Sequence, residues 1–170
     1  MCVQGVAMGK KILVCYATRC GSTGEVAERI ASVIKSGGHT VDVLQVKRNI
    51  DIDDYDAVIV GSAIRIGKCL GEAIDFVKQR KSDLQKKKLF YFGICLMITM
   101  PDKLQEVQTY LDSMIAECKP VAHEIFAGKV DFSKLSFPIR LLMKQMKTPE
   151  GDFVEWQKVE SWAKMISKSI

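Results

Sequence analysis

Lys11-Ile12-Leu13-Val14-Cys15-Tyr16-Ala17-Thr18-Arg19-Cys20-Gly21-Ser22-Thr23-Gly24 decides the fold. Its first half is a short unbroken apolar run, as a strand covered on both faces requires; its second half breaks into small polar residues and glycine. Val26, Ile30 and Ile34 follow at helical spacing, with Ala27 and Ala31 beside them, until Gly37-Gly38. A strand, a tight loop and an amphipathic helix in that order open a βαβ unit. At such a junction the backbone amides lack partners, and the positive end of the helix dipole favours an anion. Thr18, Ser22 and Thr23 add hydroxyl donors, and Gly21 permits close backbone approach. The cluster suits a phosphate monoester; the plainer alternative is a helix start capped by Ser and Thr.

The alternation continues outward from this stretch. Thr40–Val46 reads as a second strand and Asp56–Gly61 as a third, after the acidic turn at Asp51–Tyr55. Leu70, Ile74 and Val77 mark a helix, and Leu89–Ile94 a fourth strand. Leu104, Val107, Leu111 and Ile115 mark one further helix, and Val121–Phe126 a fifth strand. Asp152 and Glu155 read as a capping-box pair ahead of a helix carrying Val159, Trp162 and Ile166. Right-handed crossovers between these strands give a parallel sheet with helices on both faces. Without repeats or linkers, residues 11–170 form one expected domain, and residues 1–10 an extension leading into strand one. Ligands of such sheets sit beyond the carboxyl ends of the strands, so Thr18–Thr23, Gly61–Gly67 and Gly93–Met100 are expected to converge.

Composition narrows the classes. A chain of 170 residues with 48% hydrophobic and 26% charged residues has the make-up of an ordinary globular domain. No apolar run approaches the ~20 residues of a membrane span, and no export leader is read at the N-terminus. Six scattered cysteines, without a C-x-x-C pair or a Cys/His metal spacing, point to reduced thiols, a cytoplasmic setting and no metal. The net charge of +5 favours anionic ligands but is too diffuse for nucleic-acid binding. Neither a P-loop nor a G-x-G-x-x-G fingerprint is present. A C-x5-R phosphatase loop fails as well, because Val26 and Gly21 stand where the arginine would follow Cys20 and Cys15. His39 and His123 have no nucleophile partner by motif, and Cys20, with no partner cysteine, reads as a small packed loop residue. Ser136-Phe137-Pro138 starts a short basic amphipathic helix within Phe132–Lys147, able to lie on a membrane surface or receive a partner.

Thr18-x-Cys20-Gly21-x-Thr23 resembles the flavodoxin phosphate loop, (Ser/Thr)-x-Thr-Gly-x-Thr, with Cys20 in place of the middle threonine. Ala17-Thr18-Arg19-Cys20-Gly21-Ser22-Thr23 and Gly61-Ser62-Ala63-Ile64-Arg65-Ile66-Gly67 resemble more closely the menaquinone-dependent protoporphyrinogen IX dehydrogenase branch, which shows S-T-R-D-G-x-T and G-A-S-I-R-Y-G. The resemblance runs from about Lys11 to the last helix. It implies an α/β, flavodoxin-like three-layer sandwich with a five-stranded parallel sheet in order 2-1-3-4-5, and FMN as cofactor. By it, Thr18, Arg19, Cys20, Gly21, Ser22 and Thr23 hold the FMN phosphate. Ser62, Ala63, Ile64, Arg65 and Gly67 line one side of the ring, and Cys95, Leu96, Met97 and Thr99 fall where the third flavin loop belongs. The implied function is electron transfer, as a carrier or small flavin oxidoreductase with a redox protein or a quinone as partner. Protoporphyrinogen IX dehydrogenase and an FMN-binding sensor module are the alternatives. Two departures from acidic flavodoxins follow. The flavin loops contain no Trp or Tyr, so FMN affinity is expected to be lower without aromatic stacking. A guanidinium at Arg65 would favour the negatively charged reduced flavin and make it less reducing.

Overall fold

A computed structural model describes residues 9–47 and 50–170, so most of the expected N-terminal extension, residues 1–8, lies outside the described residues. In chain order the strands are β1 (Lys11–Ala17), β2 (Thr40–Gln45), β3 (Ala57–Arg65), β4 (Lys68–Cys69), β5 (Lys88–Ile94), β6 (Ala122–Phe126), β7 (Lys129–Val130) and β8 (Gly151–Asp152). The helices are α1 (Ser22–Ser36), α2 (Gly71–Gln79), α3 (Lys81–Leu84), α4 (Leu104–Val107), α5 (Asp112–Glu117), α6 (Phe137–Gln145) and α7 (Trp156–Ser169). The main sheet runs β2-β1-β3-β5-β6, every neighbouring pair parallel. This is the expected order 2-1-3-4-5; the labels shift because β4 folds back on the end of β3 as a short antiparallel partner.

Strand periodicity sorts the core into two layers. Ile12, Val14, Ile59, Phe90 and Phe92 meet α1 and α7 on one face, while Leu13, Cys15, Val58, Val60, Leu89 and Tyr91 meet the α2 and α5 side on the other. Burying each such aliphatic or aromatic side chain contributes about 1.5–3 kcal/mol, so a sheet covered twice outweighs any local propensity along these strands. Gly61 stands opposite Phe92 across β3 and β5, and a Cβ there would lie 2.1 Å from Phe92 Cζ. The missing side chain gives Phe92 its place, edge-on to Trp162 at 6.4 Å between ring centres.

Two segments differ from the sequence reading. The single helix expected across Leu104–Ile115 is broken by a 3-10 turn at Gln108–Leu111, which turns Tyr110 into the core with its hydroxyl 2.7 Å from Glu106 Oε1. Asp152 is not part of a capping box. It lies in β8 opposite Lys129, which draws its carboxylate across the strand pair at 3.3 Å, and α7 begins only at Trp156.

Candidate functional site

The register places the carboxyl ends of the central strands side by side, with Ala17 opposite Ser62, Ala63 opposite Ile94, and Ile94 opposite Phe126. Beyond these ends lies a cavity of about 390 Å³, walled by Thr18, Arg19, Cys20 and Ser22, by Ala63, Ile64 and Arg65, and by Ile94 and Leu96. Gly128–Asp131 continue the wall, and Lys134, Leu135 and Met143 close it. The size falls within the roughly 300–1,000 Å³ range of small-molecule sites. Among the described residues no Trp or Tyr lines it.

The first loop gathers donors at the start of α1. Gly21 sits at φ +91° ahead of α1, a left-handed conformation that costs glycine nothing, and its amide bonds Thr18 Oγ1 at 3.0 Å. The amides of Arg19, Cys20, Ser22 and Thr23 make no hydrogen bond among the described residues. Thr23 is fully buried in the first turn of α1, and its Oγ1 has no partner. An orphaned buried hydroxyl is costly unless a bound water or a ligand oxygen completes it, and Thr23 directly follows Ser22, which lines the cavity. The Arg19 guanidinium pairs with Glu72 in the first turn of α2. Glu72's own helix-start amide, and then Arg19, hold its carboxyl below the usual carboxylate range.

In the second loop Ser62 is buried and fully engaged: its Oγ donates to Ala63 O and accepts from the Leu70 amide, both at 2.9 Å. Ile66 and Gly67, at φ +50° and +69°, form the two-residue turn between β3 and β4. Gly67 therefore stands at the hairpin tip, against Tyr110, and is not on the cavity wall. Arg65 is exposed at the cavity rim and makes no ion pair among the described residues.

The third loop contributes less than expected. Leu96 lines the cavity, but Cys95 is buried in the core, where burial pushes its thiol pKa up. Met97 packs toward the α2 and α5 side, 3.8 Å from the Tyr110 hydroxyl, and Thr99 Oγ1 donates to Leu96 O. The segment after β6 takes part instead, and sequence reasoning missed it. A Cβ on Gly128 would lie 2.7 Å from Ile94 Cγ2 and 3.4 Å from Ser22 Oγ, so glycine is what keeps this wall back. The available signal is a glycine shortly after a predicted strand, Gly128 two residues beyond Phe126. Free amides and hydroxyls beside a cavity walled in part by Ala63, Ile64, Ile94, Leu96, Leu135 and Met143 fit the donors and apolar cover that FMN needs.

Residues 13–155 match the profile of the flavodoxin domain family. Protoporphyrinogen IX dehydrogenase [quinone] of Escherichia coli K12 is 27% identical over 172 residues, covering 92% of this chain and 94% of that protein. Its namesake in Leishmania major is 25% identical over 168 residues, covering 90% and 73%. Oxidised flavodoxin 1 from Bacillus cereus superposes with a TM-score of 0.62 at 20% identity, over 94% of this chain and 99% of that one. With a fold shared over nearly all its length and a profile match across most of it, the chain belongs to the flavodoxin domain family, whose FMN-binding, electron-transferring character it shares.

Proposed function

We propose that residues 11–170 act as one FMN-binding unit, with the phosphate held on Thr18–Thr23 and the ring set against Ala63–Arg65 and Leu96. The observation that carries this is the run of four amides, those of Arg19, Cys20, Ser22 and Thr23, that have no partner among the described residues where the first loop enters α1 beside the cavity. Bound FMN supplies one- or two-electron transfer, and no side-chain acid or base is needed for it. Thr18 and Ser22 orient the phosphate, the aliphatic wall excludes water from the ring, and Arg65 sets the charge at the rim. The electron partner is a redox protein or a quinone. Phe132–Lys147 supplies a peripheral contact with a membrane surface, since α6 and its C-cap expose Phe137, Leu141, Leu142 and Met146 between lysines. Among the described residues no helix is long and apolar enough to cross a membrane.

A second reading, oxidation of protoporphyrinogen with transfer to a quinone, is favoured by the two relatives of that name and by a cavity rim carrying Arg19, Arg65 and Lys134. The deciding experiment is titration of the purified protein with FMN, followed by flavin fluorescence and the visible spectrum, then dithionite reduction. Saturable quenching and reversible bleaching are expected. No quenching at micromolar FMN defeats the reading, and turnover with protoporphyrinogen and a quinone separates the second reading from the first.

A further inference from the structure

Between β7 and β8 the chain leaves the body of the fold and returns. The stem of this excursion is well made. Val130 pairs with Gly151 and Lys129 with Asp152, the Phe153 amide bonds Gly128 O at 3.2 Å, and the Phe132 amide bonds Glu150 Oε1 at 3.0 Å. Lys129 bridges Glu25 of α1 and Asp152 of β8, and its ammonium stands 5.6 Å from the Trp156 ring centre. The head of the excursion is different. Helix α6 has no buried residue, and Phe137 is 76% exposed. Yet Leu135 and Met143 turn inward and end on the cavity. Their positions are fixed within the excursion itself: Arg140 Nη2 donates to Leu135 O at 3.3 Å, and the Thr148 amide donates to Met143 O at 3.0 Å.

This arrangement fills a gap left by the third loop. Cys95 and Met97 face the core, so of the expected residues there only Leu96 reaches the cavity. A planar hydrophobic ring needs apolar cover on its exposed side, and Leu135 and Met143 are what the chain offers.

We propose that residues 131–150 form the outer wall of the flavin site, with Leu135 and Met143 covering the ring and Lys129 anchoring the stem. The inference rests on the FMN reading above. The wall lowers the rate at which FMN leaves, because the head must lift from the cavity before the ring can escape.

The pairing of Val130 with Gly151 supplies the test. Replacing residues 131–150 by Asn-Gly joins these two positions through a two-residue turn, which suits an antiparallel pair and leaves the sheet untouched. Wild type, this shortened variant, the Leu135→Ala/Met143→Ala double variant and a control, Phe137→Ala/Leu141→Ala, are titrated with FMN, and dissociation is timed by recovery of flavin fluorescence. The shortened and the inner-face variants are expected to bind FMN at least about tenfold more weakly, the equivalent of about 1.4 kcal/mol, chiefly through faster release. The control binds as wild type. In parallel, FMN slows tryptic cleavage of the wild type at Lys134, Arg140, Lys144 and Lys147 severalfold. If the inner-face variant binds within twofold of wild type, or FMN gives no protection, the proposal is overturned. Should the shortened variant fail to give a native circular dichroism spectrum, the inner-face variant and the protection assay decide alone. Loss of FMN binding in Thr18→Ala alongside unchanged binding in the inner-face variant refutes the wall and leaves the FMN reading intact. Absence of binding by wild type refutes both.

Discussion

Thr23 carries a buried hydroxyl with no partner among the described residues, and such a group destabilises a fold by about 1–3 kcal/mol until it is satisfied. Thr23→Val keeps the shape and removes the oxygen. Two effects of opposite sign follow. The ligand-free protein should melt at the same temperature as wild type or higher, while FMN affinity falls roughly two- to tenfold, the worth of one hydrogen bond of about 0.5–1.5 kcal/mol. Thermal melts with and without FMN read both at once; a variant destabilised in the free state and unaffected in binding would mean that the hydroxyl serves the fold. Arg65 gives a second test at this scale. It stands at the cavity rim with no ion pair among the described residues, so its charge is free to act on the flavin. Arg65→Ala should move the flavin midpoint potential negative by roughly 20–60 mV, the one-electron equivalent of about 0.5–1.4 kcal/mol. A redox titration in which the variant and wild type coincide rules that role out.

Among the elements, the segment after β6 shows how a wall is positioned by what is absent. Gly128 leaves 2.7 Å between its would-be Cβ and Ile94 Cγ2, too little for any side chain without displacement of Ile94, which itself lines the cavity. Gly128→Ala should therefore push Ile94 into the space the flavin needs. Overpacking costs about 1–3 kcal/mol, so a modest drop in melting temperature is expected together with FMN binding weakened roughly tenfold or more. Unchanged FMN affinity, measured by fluorescence quenching, would place the ring away from this wall. The same segment marks the limit of what could be read from sequence. β1, α1 and the first loop were legible because an unbroken apolar run, a loop and a 3.6-residue period are each local signals. β7 and β8 are two residues long and pair across the whole α6 excursion, so neither has a period to detect. Asp152 looked like a helix cap because its partner Lys129 is distant in sequence. The coreward turn of Cys95 and Met97 is hidden for a related reason: apolar residues beyond a strand end can face the core or the ligand, and only tertiary packing, such as that of Met97 against Tyr110, decides.

For the molecule as a whole, charge and surface shape combine at one end. The chain carries a net +5, and α6 with its C-cap projects Phe137, Leu141, Leu142 and Met146, each at least half exposed, from the same segment that holds Lys134, Lys144 and Lys147. A solvated helix gains nothing from these apolar residues, whereas a bilayer interface would bury them, and each nearby lysine adds about 1 kcal/mol of attraction to an anionic leaflet. The cavity opens beside this segment, so such a contact would bring a lipid-dissolved electron acceptor to the flavin rim. Sedimentation with vesicles separates the two forces. Binding to vesicles rich in phosphatidylserine should be clear at low salt, fall severalfold at about 0.5 M salt as the Debye length shrinks to a few ångströms, and be slight on phosphatidylcholine alone. Leu142→Glu/Met146→Glu places two carboxylates on the exposed face of α6 without touching Leu135 or Met143. It should abolish vesicle binding while FMN affinity stays at the wild-type value. Equal sedimentation of this variant would show that net charge alone draws the protein to the membrane and that the apolar face of α6 has no part in it.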